Sequence, residues 1–146
     1  MSKGKAAPRF GFLLNRAQRA LQRWTETRPD AWPGISSAQV GLLFYLESQP
    51  QAMIGEIAAA LHVAPAAVTN LSKRMQEAGL IERIADAEDA RITRLRLTAA
   101  GTDASRHAHR LLGQMNAHLQ NGFSAEELAV VARWLQHAAT LYERED

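Results

Sequence analysis

The stretch over residues 53–98 constrains the fold more than any other part of the chain. It opens with two helix-like segments, residues 54–61 and 65–78, separated by a tight turn. Pro65 is favourable at a first helical position, and Gly79 is well placed to end the second helix in a left-handed conformation. Two β-rich runs, LIERIA and RITRLRLT, follow and are joined by the acidic loop DAEDA. A short helix pair followed directly by a hairpin predicts a winged helix–turn–helix.

Helices are predicted before this stretch. Residues 9–28 place Phe, Leu, Ala and Trp at helical spacing, with arginines beside that stripe. The segment RPDAWPG interrupts the pattern, because proline and glycine do not continue a helix. A second helix is expected to begin at Ser36 or Ser37, both good caps, and to stop near Pro50.

Two more helices are predicted after the hairpin. Thr98 is positioned to cap a helix over about residues 99–120. Ser124 and Glu127 then form a capping box for the last helix, which runs over 124–144. The fold class is therefore mainly α with a small β-hairpin.

Length and composition are those of one soluble domain. A chain of 146 residues with 47% apolar residues can bury a core, so residues 1–146 are expected to form a single domain around a winged lobe at 36–98. The chain has no cysteine, which excludes disulfides and thiolate chemistry. The amino-terminal apolar run is too short for a signal peptide, and no segment has the length of a membrane span. A cytoplasmic protein without a membrane partner is expected.

The helix at 65–78 has two different faces. Val68, Leu71 and Met75 share one side and are expected to face the core. Small residues on the other side would let the helix approach base edges, where Thr and Asn can bond bases and Lys or Arg can hold phosphates. Any amphipathic helix has a polar face, so this feature alone does not establish that the helix binds DNA. The candidate contacts are Ala66, Thr69, Asn70, Lys73 and Arg74.

The hairpin strengthens the DNA interpretation. Leu95 lies on one strand face, while Arg94 and Arg96 lie on the other, expected to meet solvent or phosphate. Arg91 stands near the tip, where a guanidinium suits a narrow, electronegative minor groove. Asp89 is expected to hold Arg91 in an extended pose; the alternative is a surface ion pair of little consequence. The seven Lys or Arg against one Glu in residues 1–28 add only weak support for an anionic partner.

These residues resemble the MarR family of bacterial transcriptional regulators. The resemblance runs from EIAAALHV through VTNLSKRMQEAGLIER to DARITRLRLTAAG. Its most specific part is Asp89-x-Arg91, followed at the family's interval by Leu97-Thr98 and then Gly101. It covers nearly the whole chain, because the first helix and the last two match the family's dimerisation helices.

The resemblance implies a set of contacts and a quaternary state. The helix at 65–78 enters the major groove through Thr69, Asn70, Lys73 and Arg74, and Arg91 enters the minor groove with Asp89 orienting it. Residues 9–28 and 99–144 form a homodimer, which would bury their exposed Leu, Phe, Trp and Val and present two recognition helices to a palindromic operator. An intramolecular cap on a monomer is the alternative use of these helices.

Two positions depart from the family pattern. The turn has His62 where such proteins often have Gly, and Ala64 where they often have Ser or Thr. Losing that hydroxyl removes a helix cap worth about 1 kcal/mol. The wing loop also lacks the proline often found there.

The function implied is a sequence-specific, double-stranded-DNA-binding regulator, a repressor in the family's commoner mode. Such regulators commonly respond to small aromatic or anionic compounds, and the side chains that could hold one are Arg16, Trp24, Trp32 and Tyr45. For each of these a core or interface role is the simpler reading. No cofactor is expected.

Other functions stay open as alternatives. A metal-responsive regulator of the same fold would use the histidines, but His107 and His109 are two apart and lie on different helix faces. A winged helix can also serve as a protein-interaction module without binding DNA. An enzyme is not expected, because no phosphate loop, nucleophile elbow or catalytic cysteine is present.

Overall fold

The computed structural model describes residues 6–28 and 36–141. In chain order the elements are α1 (Phe10–Glu26), α2 (Ser37–Ser48), β1 (Ala52–Met53), α3 (Ile54–Leu61), α4 (Pro65–Glu77), β2 (Ile81–Ala85), β3 (Thr93–Leu97), α5 (Ala99–Gln120) and α6 (Ala125–Ala139). By its internal contacts the chain divides into two compact units, Met1–Thr102 and Asp103–Asp146. The first unit contains the winged helix–turn–helix.

Helices α3 and α4 are the helix–turn–helix, and their axes are bent by 110° at the turn. His62 ends α3 in the left-handed conformation, with φ 54° and ψ 45°. Glycine adopts this conformation without penalty, whereas other L-residues lose roughly 1–2 kcal/mol there. Ala64 is the N-cap of α4 and makes no side-chain cap bond, as its missing hydroxyl predicts. Both departures from the family pattern therefore carry a small stability penalty in the same turn.

The sheet has three antiparallel strands in the order β1-β3-β2. The predicted hairpin is confirmed: β2 and β3 pair from Ile81↔Leu97 to Ala85↔Thr93. The third strand, β1, was not predicted. It is only two residues long, too short to show an alternating pattern, and it pairs with β3 through Ala52↔Leu95 and Met53↔Arg94.

The core of the first unit lies where α2, α3, α4 and the sheet meet. Each contributes one apolar face, as helical spacing and strand alternation require. The predicted core residues of α4, Val68, Leu71 and Met75, are buried. The largest fully buried apolar side chains of this unit are Leu42, Leu43, Leu46, Ile57, Val68, Met75, Ile81 and Leu95.

The end of α4 and the start of α5 are connected by hydrogen bonds and close backbone packing. The Thr98 hydroxyl donates to the Gly79 carbonyl at 2.6 Å and accepts from the Gly101 N–H at 3.0 Å, which makes Thr98 the predicted cap of α5. A Cβ on Gly101 would lie 1.9 Å from the Leu80 carbonyl oxygen. Gly79 itself has φ 76°, the left-handed stop predicted for it. The spacing of Leu97, Thr98 and Gly101 is thus explained by packing and hydrogen bonding in this chain.

Helices α1 and α6 bury little of their surface. None of the residues of α1 or of α6, all of which are described, is buried. Ser124 and Glu127 form the predicted capping box of α6, which ends at Ala139, earlier than the predicted 144. Among the described residues, no single helix is long and apolar enough to cross a membrane; α3 and α4 meet that test only as a bent pair. The exposed large apolar side chains of α1 and α6 are Phe10, Phe12, Leu13, Leu14, Val130, Val131 and Leu135.

Candidate nucleic-acid interface

Helix α4 presents the polar face that its sequence predicts. Asn70 and Lys73 are exposed, whereas Thr69 is half-buried and its hydroxyl donates to the Pro65 carbonyl at 3.1 Å. Ala66 and Arg74 are also exposed. The structure thus brings the five predicted helix residues together along one side of a single helix.

The wing tip consists of Asp89 and Arg91, which form a bidentate pair. Arg91 donates from Nε to Asp89 Oδ1 at 3.0 Å and from Nη2 to Oδ2 at 2.9 Å. The Arg91 backbone N–H also donates to Oδ1 at 3.0 Å. The Arg91 side chain is 90% exposed and that of Asp89 34%.

The electrostatics of the tip follow from this geometry. Hydrogen bonds from the Arg91 side chain, and then from its backbone, lower the pKa of Asp89, and the Asp89 carboxylate raises the pKa of Arg91. Both groups therefore stay charged over the whole physiological range. A planar guanidinium fixed by its own neighbour is preorganised, so less side-chain freedom is lost when it meets a phosphate or a base edge.

The wing neck consists of Gln51, Asp86 and Arg94, and here the structure differs from the sequence prediction. Arg94 was expected to face solvent or phosphate. Instead its Nε donates to Asp86 Oδ1 and its Nη1 to the Gln51 carbonyl at 3.0 Å. The Arg94 side chain is only 30% exposed and that of Asp86 14%. Asp86 directly follows β2 and is the main partner of Arg94, while the pairing of β1 with β3 brings Gln51 against the same side chain.

Asp86 organises the loop that leads to the tip. Its Oδ2 accepts from the backbone N–H groups of Glu88 and Asp89, each at 3.1 Å. The Arg94 side chain first, and then these backbone bonds, lower the pKa of Asp86. Arg94 thus supports the wing from within, and a DNA contact by Arg94 itself stays a prediction.

Ser72 and Arg83 were not recognised as site residues from the sequence. Arg83 Nη1 donates to Ser72 Oγ at 3.1 Å, and Ser72 is fully buried on the core side of α4. The sequence does contain a pattern that places both residues on the core side. A serine falls among the apolar positions of α4, and period-two alternation puts Arg83 on the same strand face as the buried Ile81.

The predicted ligand residues that the structure describes lie on α1 and α2. Arg16 is exposed on α1, and Tyr45 is half-buried on α2. Trp24 is half-buried, with the Arg28 guanidinium 4.4 Å from its ring centroid. Trp32 lies outside the described residues. The two described clefts, each of about 490 Å³, flank the wing neck and tip, and neither is lined by Arg16, Trp24 or Tyr45.

The histidines do not assemble a metal site in the described part of the chain. Within residues 6–28 and 36–141 no group of three or more His, Cys, Asp or Glu side chains could hold a metal ion. The His107 ring instead lies against the Arg110 guanidinium, with 2.6 Å between Nδ1 and Nη2.

Comparison with known proteins identifies the winged lobe and the fold. Residues 35–93 match the sequence model of the MarR family. No curated protein matches the sequence. Among solved structures, the PcaV transcriptional regulator of Streptomyces coelicolor, determined with its natural ligand, has a TM-score of 0.81 and 22% identity over 97% of this chain and 99% of that one.

Two further structures share the fold. MepR of S. aureus, solved in complex with DNA, has a TM-score of 0.79 and 22% identity, over 92% of this chain and 98% of that one. A MarR family transcription regulator has a TM-score of 0.68 and 25% identity, over 91% and 95%. The match over the DNA-facing lobe and the shared fold over nearly the whole length agree with the geometry of α4 and the wing. Residues 35–93 of this chain thus match the MarR family, and its fold over nearly the whole length is that of solved transcription regulators.

Proposed function

We propose that this protein is a homodimeric repressor that acts in the cytoplasm, binds a palindromic operator in double-stranded DNA and is released by a small aromatic or anionic ligand. The MarR family comprises transcription regulators rather than enzymes. The observation that carries the proposal is the wing tip: Arg91 is 90% exposed, yet its guanidinium is fixed by two hydrogen bonds to Asp89. An ion pair this exposed contributes little to stability. Recognition of an anion or of a groove is the use that its geometry suits.

The polar face of α4 supplies the second element of the proposal. Asn70 and Lys73 are exposed side by side with the small residue Ala66, so the helix can lie deep in a major groove. Asn70 is the candidate base contact, and Lys73 and Arg74 are the candidate phosphate contacts. Arg91 would occupy the adjoining minor groove, where a narrow width strengthens the negative potential.

The homodimer is supported by the apolar surface of α1 and α6. Each helix is amphipathic, yet neither buries a residue. Val130, Val131 and Leu135 of α6 are each about half exposed, at 45–53%. Apolar side chains at this density are unusual on the surface of a small monomer. A twofold interface would cover them and place two recognition helices about one DNA turn apart.

A small aromatic or anionic effector is the remaining element of the proposal. PcaV was solved with its natural ligand, and Arg16, Trp24 and Tyr45 offer one cation and two aromatic rings on α1 and α2. Release of bound DNA by phenolic or aromatic carboxylate compounds, screened by fluorescence anisotropy, would identify the ligand class. No release by any compound of these classes would remove the effector from the proposal.

The DNA-binding proposal is tested by selecting duplexes from a random library with the wild-type protein and measuring affinity by fluorescence anisotropy. We expect a selected palindromic duplex to bind more tightly than a scrambled one, with a steep salt dependence. Asn70→Ala should weaken selective binding by about tenfold, within the range of one base contact. Asn116→Ala, at an exposed position on α5, is the matched control. A wild-type protein that selects no sequence would instead support an interaction module.

A further inference from the structure

Arg83 is a cation on the apolar face of the wing sheet. In the register of β2 and β3, Arg83 lies opposite Leu95 and Ile81 opposite Leu97. Alternate residues of a strand share a face, so Arg83 points to the side that carries the buried Ile81 and Leu95. An apolar residue at this position would pack against the same surface without the desolvation of a charge. Because Arg83 is half-buried, its charge carries a desolvation cost that an apolar residue would not have.

Ser72 is the partner of Arg83 and lies on the buried side of α4. Its hydroxyl donates to the Thr69 carbonyl at 2.8 Å and accepts from Arg83 Nη1 at 3.1 Å. Ser72 has no exposed surface and Arg83 is half-buried, so both bonds are partly shielded from water. A hydrogen bond is directional, and its geometry weakens steeply when the donor angle changes. The apolar contacts of Val68, Leu71 and Met75 on the same side have no such preference.

We propose that Arg83 and Ser72 are positioning residues that fix the rotation of α4 about its own axis. The chain of bonds leads from β2, through Arg83 and Ser72, to the Thr69 carbonyl, one residue before Asn70. With this connection α4 holds Asn70 and Lys73 at a fixed angle to the wing. Without it the helix stays packed on its apolar face but turns more freely. This inference rests on the proposed DNA-binding function, since it concerns how the DNA-facing side chains are held.

The proposal makes a prediction that a merely structural role would not. Arg83→Met keeps the apolar stem and removes the donor, so the thermal unfolding temperature should stay the same or rise. The affinity for the selected duplex should fall by about tenfold, within the range of one base contact, and the affinity for the scrambled duplex should not change. The salt dependence should keep its slope, because no phosphate contact is lost.

Ser72→Ala tests whether the two residues act through one another. In a double-mutant cycle the Arg83→Met, Ser72→Ala double variant should lose no more selectivity than either single variant, since both remove the same bond. Arg83→Lys retains a donor of similar reach and should recover part of the selectivity, and it serves as the folded reference if Arg83→Met unfolds. Arg106→Met is the matched control, because Arg106 is an exposed arginine on α5, outside the wing, that pairs with Asp103 at 3.0 Å.

Three results would overturn the positioning role. Equal weakening of both duplexes with a salt slope lower by about one would make Arg83 a phosphate contact. A lower unfolding temperature with unchanged selectivity would make the bond a structural one. Additive effects of Arg83→Met and Ser72→Ala would show that they act separately. If the wild-type protein itself prefers no duplex, the proposed function fails, a result distinct from a selective wild type whose Arg83→Met variant is equally selective.

Discussion

The two ends of the wing are built in opposite ways. The wing root, formed by Leu80, Thr98 and Gly101, is so tightly packed that a single added carbon on Gly101 would overlap the Leu80 carbonyl oxygen. At the wing tip, the Arg91 side chain is 90% exposed and is held by hydrogen bonds to Asp89. Packing at the root fixes the backbone, whereas the tip offers a charge to a partner.

The wing neck lies between these extremes and shows how the two ends are connected. Asp86 and Arg94 form the same kind of pair as Asp89 and Arg91, but their side chains are 14% and 30% exposed against 34% and 90%. Asp86 also binds the backbone N–H of Asp89, so the neck holds the loop that carries the tip. Substitutions near the root should therefore mainly lower stability, and substitutions at the tip should mainly weaken DNA binding.

The largest effect is expected at the root. Gly101→Ala would place a Cβ 1.9 Å from a backbone oxygen, which no side-chain rotation relieves. We expect a loss of about 3 kcal/mol or more in the free energy of unfolding, measured by urea denaturation. Gly113→Ala is the control in the same helix, where nothing lies within 4 Å of the added carbon. It should stabilise by roughly 0.5–1 kcal/mol. Equal effects of the two substitutions would contradict the packing at the root.

The next largest effect is expected at the tip and should appear in binding alone. Arg91→Ala should weaken binding to the selected duplex by about ten- to a hundredfold while leaving the unfolding temperature unchanged. Arg106→Ala provides the comparison, because Arg106 forms an exposed pair with Asp103 at 3.0 Å on α5. Its loss should affect neither quantity. A clearly lower unfolding temperature for Arg91→Ala would contradict the claim that the tip, unlike the neck, does not stabilise the fold.

A moderate effect is expected at the neck. Asp86→Asn removes the charge that Arg94 and two backbone N–H groups share, so the unfolding temperature should fall by several degrees. Asp89→Asn should leave that temperature nearly unchanged but weaken DNA binding, because Arg91 loses its fixed orientation. Differential scanning fluorimetry and anisotropy on the same preparations measure both. If the two variants change the unfolding temperature and the DNA affinity equally, the neck and the tip do not have different roles.

The smallest effect is a pH dependence of the neck. The pKa of Asp86 is lowered by its bond with Arg94, so the folded state favours the ionised carboxylate. Its contribution to stability is complete above the ordinary Asp pKa of about 3.9 and is lost as the pH falls through the lower folded-state value. The difference in stability between wild type and Asp86→Asn should therefore be constant near neutral pH and shrink below about pH 4. A difference that persists at low pH would show that charge is not its cause.

The sequence predicted the parts of this fold that depend on local patterns. The helix boundaries around Pro65, Gly79 and Ser124 carried their own capping signals, and the strand alternation around Leu95 was regular. The strand β1 was missed because two residues show no period, so the contact of Arg94 with the neighbouring Gln51 carbonyl was not predicted. Arg83 was missed because its partner, Ser72, is eleven positions away in the sequence. The two side chains come into contact only when α4 packs on β2. Long-range pairing of polar side chains is what local patterns do not reveal.

The most direct test of the account asks whether Arg91 reads a minor groove. Replacing guanine by inosine removes the minor-groove amino group of a G·C pair while keeping its major-groove acceptors. Each G·C pair of the selected duplex is replaced in turn, and the affinities of the wild type and of Arg91→Ala are compared. We predict that inosine at the wing-contacting positions strengthens wild-type binding and leaves Arg91→Ala unaffected, because only the wild type places a donor there. Equal responses of the two proteins at every position would contradict a minor-groove role for Arg91.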